Sequence, residues 1–127
     1  MTLSRRDHIR LLSASGPVML VSVAAIRGST PREVGAFMLI TPDAISGTIG
    51  GGNLEHQVTR RVREGLDAGV DTLPLAEIVR FPLGPGLGQC CGGSVEVGFH
   101  LLRGVAKETL RTVLQEIETA PVRSDGH

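Results

Sequence analysis

The sequence predicts a single small domain of the α/β class, with α+β as the alternative, in which one mixed β-sheet carries a few packed helices. Three observations lead to this prediction. Short apolar runs alternate with segments whose apolar residues recur at helical spacing. The chain has 127 residues, which suits one domain. Its 17 glycines cluster in blocks between the runs, as they do in loops. With three Phe and neither Trp nor Tyr, the core is expected to be aliphatic.

The amino-terminal part is predicted to contain a helix, a strand, a loop and two further strands. The helix has its apolar residues on one face and is followed by a Gly-Pro pair that ends it. The first strand is an apolar run with a single serine in it, which is typical of a buried strand. The loop contains a proline, and the residue before a proline is restricted to extended geometry. The predicted bounds are residues 5–14 for the helix, then Val18–Ile26, Arg27–Gly35, Ala36–Thr41 and Ile45–Ile49.

A second helix is predicted after three consecutive glycines, because apolar residues recur there every four positions. Asn53 is expected to cap its beginning and Gly69 to end it. A strand, a long Gly/Pro loop, an alternating strand and a closing helix complete the prediction. Their positions are Leu75–Phe81, Pro82–Gly93, Ser94–Leu102 and the helix that carries Leu110, Val113, Leu114 and Ile117. Residues 1–120 form the expected domain, and residues 121–127 a tail or truncated linker.

Composition argues against several classes of protein. Thirteen basic and thirteen acidic residues cancel, and without Trp or Tyr the chain has few surfaces on which bases could stack, so we expect no nucleic acid partner. No apolar run approaches the roughly 18 residues of a membrane-spanning helix. The first residues lack the apolar core of a signal peptide. We therefore expect a cytoplasmic protein with no membrane partner.

The first of three segments with reactive or ligand-binding residues is Arg27-Gly-Ser-Thr-Pro-Arg-Glu-Val-Gly35. It presents two guanidinium groups and two hydroxyls from a constrained loop, and these groups suit an oxyanion. Arg27, Thr30 and Arg32 are its candidate ligands. The alternative is a surface loop in which Arg32 pairs with Glu33 or another carboxylate.

In the second segment, residues 47–55, a strand leads through Gly50, Gly51 and Gly52 into the second helix. Helix N-termini carry N–H donors and a partial positive charge, and glycines let a phosphate approach the backbone. The segment is neither a P-loop nor a dinucleotide fingerprint, because no lysine follows and the glycines are contiguous. A tight turn capped by Asn53 explains the same residues equally well.

The third segment, Leu83–Gly93, contains the only two cysteines, Cys90 and Cys91. Adjacent cysteines bond to one another only with severe backbone strain, so we expect two reduced thiols. A thiolate is a soft ligand and a nucleophile, and a glycine-rich loop leaves it accessible. A zinc site is not expected, because there is no C-x₂-C pair and the four histidines have no ligand-like spacing.

The three segments resemble the successive motifs of the amino-terminal domain of the XdhC/CoxI family, in the family's order, over about residues 15–102. The residues that carry the resemblance are Arg27-Gly-Ser-Thr-Pro-Arg, Gly47-Thr-Ile-Gly-Gly-Gly-x-Leu-Glu55 and Gly-Gln-Cys-Cys-Gly-Gly93 leading into Ser94-Val-Glu-Val97. The resemblance implies a chaperone, and not a turnover enzyme. Such a chaperone binds molybdenum cofactor (molybdopterin) transiently. It assists the sulfuration of the cofactor and its insertion into a xanthine dehydrogenase-type enzyme.

The implied partners are the xanthine dehydrogenase apoprotein, a cysteine desulfurase, a Rossmann-like second domain and a second copy in a homodimer. The resemblance implies a molybdenum contact at Cys91 and no catalytic residue. The implied cofactor-binding residues are Cys90, Cys91, Gly50, Gly51, Gly52, Asn53, Arg27, Thr30, Arg32 and Glu55. Two departures stand out: Asn53 replaces a cysteine that many relatives carry, and nothing of the second domain is present. A thiol-dependent sulfur-transfer enzyme and a partner-docking module without its own cofactor site remain alternatives.

Overall fold

The computed structural model describes residues 2–28, 33–82 and 93–119. Three helices and five strands are present there, in the order that the sequence predicts. They are α1 (Thr2–Ser13), β1 (Val18–Arg27), β2 (Phe37–Ile40), β3 (Ile45–Gly47), α2 (Gly52–Ala68), β4 (Ala76–Pro82), β5 (Ser94–Leu102) and α3 (Val105–Thr119). A short 3₁₀ turn over Val70–Thr72, which was not predicted, connects α2 to β4.

The five strands form one sheet in the order β3-β2-β1-β5-β4. Every pairing between these described strands is antiparallel. The predicted single domain with one sheet and packed helices is confirmed. Because the strands are antiparallel, the arrangement is of the α+β kind that the sequence left as the alternative.

Helices cover both faces of the sheet. The face covered by α2, called here the α2 face, holds the larger core cluster, in which Leu54, Val58 and Val62 of the helix pack against β1, β2 and β5. The opposite face is covered by α1 and α3 and is called here the α1–α3 face. Its smaller cluster consists of Leu11, Leu12, Val18, Leu39 and Leu102, with Leu110 and Leu114 of α3 against it. The expected aliphatic core is thus present on both faces.

A bulge in β1 decides which way its last residues face. The register with β5 shifts between Val23 and Ala25, so that Ala24 has no partner opposite it. Before the bulge Val23 lies in the α2 core, and after it Ile26 packs against that core. Since side chains alternate along a strand, Arg27 emerges on the α1–α3 face.

Two predicted helix boundaries have different outcomes. Gly69 ends α2, with φ of 121° and its N–H donating to the carbonyl of Gly65, as expected. The prediction that Asn53 caps the beginning of α2 was wrong. The cap position is Gly51, and Asn53 lies exposed in the first turn.

Candidate functional site

All three candidate segments leave the sheet at the same end. The antiparallel pairings make β1, β3 and β4 point in one direction, so their carboxyl ends all point to the same end of the sheet. The arginine segment follows β1, the glycine turn follows β3 and the cysteine loop follows β4. This end is called here the loop end of the sheet.

The arginine segment and the cysteine loop are rooted side by side at the loop end. Arg27 lies opposite Ser94, and Ser94 lies opposite Pro82, on three neighbouring strands. A Cβ built on Gly28, whose φ is +80°, would lie 2.9 Å from the Cα of Gly93. Only glycine fits there, because a side chain would meet both backbone strain and a clash. Thr30, Arg32, Cys90 and Cys91 lie outside the described residues.

A carboxylate lies between two guanidinium groups beside these roots. Glu96 Oε2 is 3.7 Å from Arg27 Nε and 3.9 Å from Arg80 Nη2. The arginine side chains are 67% and 62% exposed, and that of Glu96 is 25% exposed. Arg80 and Glu96 face one another across β4 and β5. Neither residue was predicted to be a site residue, although Glu96 lies in the stretch Ser94-Val-Glu-Val97 that follows the cysteine motif. The alternation of charged and apolar residues in their strands is the signal that they share a face.

The glycine turn is held by a carboxylate of its own chain. Glu55 Oε1 accepts hydrogen bonds from the hydroxyl of Thr48 (2.6 Å) and from the backbone N–H groups of Ile49 (3.1 Å) and Gly51 (2.9 Å). The N–H of Gly50 donates to Thr48 Oγ1 at 3.0 Å. Gly50, Gly51 and Gly52 all have positive φ. Glu55 therefore takes the position at this turn where the sequence analysis placed an external anion.

The glycine turn and Arg27 share the loop end but not one surface patch. Gly47 is level with Val21, because Met38 lies opposite both of them. Arg27 lies about 20 Å further along β1, at a rise of about 3.3 Å per residue. The turn opens α2 over one face, and Arg27 lies on the other. The structure thus brings Arg27 to the roots of the cysteine loop and sets Gly50–Glu55 apart from it.

His8 of α1 packs beneath the end of β3, a position that no sequence pattern indicated. Its Nδ1 is 2.7 Å from Ser46 Oγ in a buried hydrogen bond, and its ring stacks on that of Phe37 at 4.8 Å. A Cβ on Gly47 would lie 2.9 Å from His8 Cε1. Burial lowers the pKa of His8 below its ordinary 6.5, while the charge of Asp7 opposes that shift. A neutral imidazole therefore supports the strand that leads into the glycine turn.

Clusters of metal ligands and membrane-spanning helices are absent from the part of the chain that the structure describes. No group of three or more His, Cys, Asp or Glu side chains there could hold a metal ion. None of the helices in residues 2–28, 33–82 and 93–119 is long and apolar enough to cross a membrane.

Comparison with known proteins gives a family and a fold. Residues 11–81, more than half of the chain, match the XdhC and CoxI family. A crystal structure described as a xanthine dehydrogenase from Bacillus halodurans is similar, with a TM-score of 0.67 at 20% sequence identity. The similarity covers 88% of this chain and 34% of that one, so the chain spans about a third of the length of that protein. No match was found among curated proteins.

Proposed function

The chain belongs to the XdhC and CoxI family, and from this membership we propose that it is a maturation factor for molybdenum cofactor. In this proposal it binds the cofactor transiently, assists its sulfuration, and assists its insertion into a xanthine dehydrogenase-type enzyme. A cysteine desulfurase and the apoenzyme are its proposed partners. A Rossmann-like second domain and a second copy of the chain are further proposed partners.

The observation that carries the proposal is the junction of the arginine segment and the cysteine loop. Gly28 and Gly93 touch, so residues that can bind an anion and residues that can bind a soft metal or sulfur leave the sheet at one point. Chain connectivity allows at most about 7 Å between the Cα atoms of Gly93 and Cys91, two residues earlier. A cofactor with both a phosphate and a metal-dithiolene end suits this combination of groups.

Each group of this chain has a defined task in the proposal. When bound, the cofactor supplies the molybdenum centre that the target enzyme needs. Arg27 attracts and orients its phosphate through a charge-assisted contact. Cys91, with Cys90 beside it, contacts the metal or its sulfur. The Gly50–Glu55 turn contributes to cofactor binding only if the ligand displaces the carboxylate of Glu55 from the backbone N–H groups of Ile49 and Gly51.

The test is retention of molybdenum through gel filtration after the chain is mixed with molybdenum cofactor. Metal should co-elute with the wild-type protein. Cys91→Ala should retain at least tenfold less, while its far-UV circular dichroism stays unchanged because a thiol in a glycine-rich loop adds little packing. Cys90→Ala is the matched control and should lose less.

Three other results would contradict parts of the proposal. Loss of retention in Cys90→Ala alone would show that the neighbouring thiol is the ligand. Absence of retention by the wild-type chain would favour a docking module. A persulfide found by mass spectrometry after incubation with a desulfurase, without cofactor retention, would favour a sulfur-transfer enzyme.

A further inference from the structure

We propose that Arg27 and Arg80 together form a binding site for a phosphate monoester, with Glu96 as the residue that positions them. The identification of this monoester as the phosphate of the pterin cofactor rests on the function proposed above. The existence of the site does not, because it stands on the geometry of three described side chains. Arg80 belongs to none of the motifs that mark the family.

The spacing of the two guanidinium groups suits one tetrahedral anion. Both contact the same oxygen of Glu96, so Arg27 Nε and Arg80 Nη2 lie no further apart than the sum of the two distances, about 7.6 Å. Two N–H donors at about 2.9 Å from different oxygens of one phosphate span a similar distance. A phosphate above Glu96 can therefore accept from both arginines without a backbone movement.

The ion pairs with Glu96 leave donors available for such a ligand. The separations of 3.7 and 3.9 Å exceed hydrogen-bond length, so Glu96 holds the guanidinium groups by charge and does not saturate them. Glu96 is also the least exposed of the three side chains, which places the guanidinium groups outermost. Two positive charges and one negative charge leave a net charge of +1 for a dianion to meet.

The surface beside Arg80 is open at Ile78 on the α1–α3 face. Ile78, two residues before Arg80 and therefore on the same face of β4, is 65% exposed. A flat ring attached to the phosphate would have room to lie beside the exposed Ile78. The exposed ion pairs themselves contribute little to folding, so stability does not require this arrangement.

The glycine turn is the rival anion site, and its geometry is less favourable. Two of its N–H groups already donate to the carboxylate of Glu55. A phosphate arriving there must displace a bonded negative charge, whereas one arriving at Arg27 and Arg80 meets exposed positive groups. For that reason the arginine pair is the stronger candidate for the first anion contact.

Titration with inorganic phosphate at constant ionic strength tests the site, with binding followed by ¹H–¹⁵N NMR of the whole chain. Saturable shifts are expected at the Nε–H groups of Arg27 and Arg80 and at the backbone of Ser94. Arg80→Gln should weaken binding about fivefold, and Arg80→Lys should weaken it less. Arg103→Gln is the matched control, because Arg103 is an exposed arginine 3.7 Å from Asp71, and it should bind as wild type.

Glu96→Gln distinguishes this site from a structural ion-pair cluster. Removing the negative charge while keeping the shape releases both guanidinium groups and should weaken phosphate binding about threefold, whereas a cluster in which Glu96 does not position the arginines would bind the anion more tightly through the gain in net positive charge. Shifts confined to the Gly50–Gly52 turn, or equal losses in Arg80→Gln and Arg103→Gln, would overturn the proposal.

Cofactor retention separates the failure of this inference from the failure of the proposed function. If the wild-type chain retains cofactor and Arg80→Gln retains it equally, the arginine site is wrong and the proposed function stands. If phosphate binds at the arginines but the wild-type chain retains no cofactor, the site stands and the proposed function fails.

Discussion

Glu55 and Glu96 are both carboxylates close to donors that could bind an anion, and they affect those donors differently. Glu55 accepts three short hydrogen bonds from Thr48, Ile49 and Gly51 and so uses the donors of the turn. Glu96 stands beyond hydrogen-bond distance from both of its arginines. A difference of about 1 Å between the donor–carboxylate distances at the two sites therefore decides which donors can bind a ligand without first breaking a hydrogen bond.

His8 makes the stability of the fold depend on pH. Because burial holds its folded-state pKa below the ordinary 6.5, the unfolded chain binds a proton more readily. Neutral His8 contributes to the free energy of unfolding in full above about pH 6.5. This contribution is lost as the pH falls through the lower pKa that His8 has in the folded state. The melting temperature of the wild-type chain should fall by several degrees between pH 7.5 and pH 5.5.

Substitution isolates this effect from the titration of other groups. His8→Gln should be less stable than wild type at pH 7.5 but should lose less on acidification. His56→Gln, at an exposed position of α2, is the control and should follow the wild-type pH dependence. An equal loss on acidification in all three proteins would show that carboxylates, and not His8, cause it.

At the scale of whole elements, α1 and α3 are joined by a buried cation. Lys107 of α3 is 8% exposed, and its ammonium group donates to the backbone carbonyls of Ala14 and Gly16, just beyond the end of α1. A positive charge is favourable at the carboxyl end of a helix. Lys107→Met should lower the free energy of unfolding by about 1–3 kcal/mol, because two carbonyls lose a charged donor.

Urea denaturation measures this loss, with Thr109→Met as the control at an exposed position of the same helix. The control should change the free energy of unfolding by less than about 0.5 kcal/mol. Equal stability of the two variants would mean that the contacts of Lys107 with the carbonyls add nothing to the docking of α3 on α1.

The elements were predictable from the sequence where burial follows a simple period. The four-residue recurrence of Leu54, Val58 and Val62 predicts α2 because these residues are its buried stripe. The end of β3 was not predictable. Apolar Ile49 extended the predicted strand, but the strand ends at Gly47, whose φ of +83° departs from strand geometry. Ile49 is buried because it packs into the α2 core.

The candidate site was predictable only in part, because its geometry depends on how distant strands pair. Arg27 was predicted as a candidate anion ligand that ends a strand, and the structure places it at the end of β1. Its role as a ligand stays a prediction. Its carboxylate partner Glu96 depends on the register of β1 with β5 and on the bulge at Ala24, which moves Arg27 to the other face. Register and bulges result from pairing between distant segments, and no local pattern of residues encodes them.

At the scale of the whole molecule, the sheet divides the loop end into two sides. The arginines lie on the α1–α3 face, and the helix after the glycine turn lies on the α2 face. A ligand that uses both must reach over the end of the sheet. The cysteine loop is rooted at Pro82 and Ser94 at this end, on the two strands next to β1 and beyond it.

This geometry leads to a prediction about distances from Cys91. A common site requires the Cα atoms of Cys91 and Gly51 to lie within about 20 Å, because a larger separation is wider than a pocket for a drug-sized ligand. Spin labels in a Cys90→Ser background, on Cys91 and on Asn53→Cys beside the turn, should report a separation in that range by double electron–electron resonance. A label on Arg103→Cys should lie about 30 Å or more from Cys91, because the nine residues of β5 separate the two ends of the sheet.

Samples in which the chain is monomeric by sedimentation are required, since a homodimer would add distances between copies. If the label at position 53 lies as far from Cys91 as the label at position 103, the glycine turn and the thiols do not share a site within one chain. The thiols would then act with the arginine side alone.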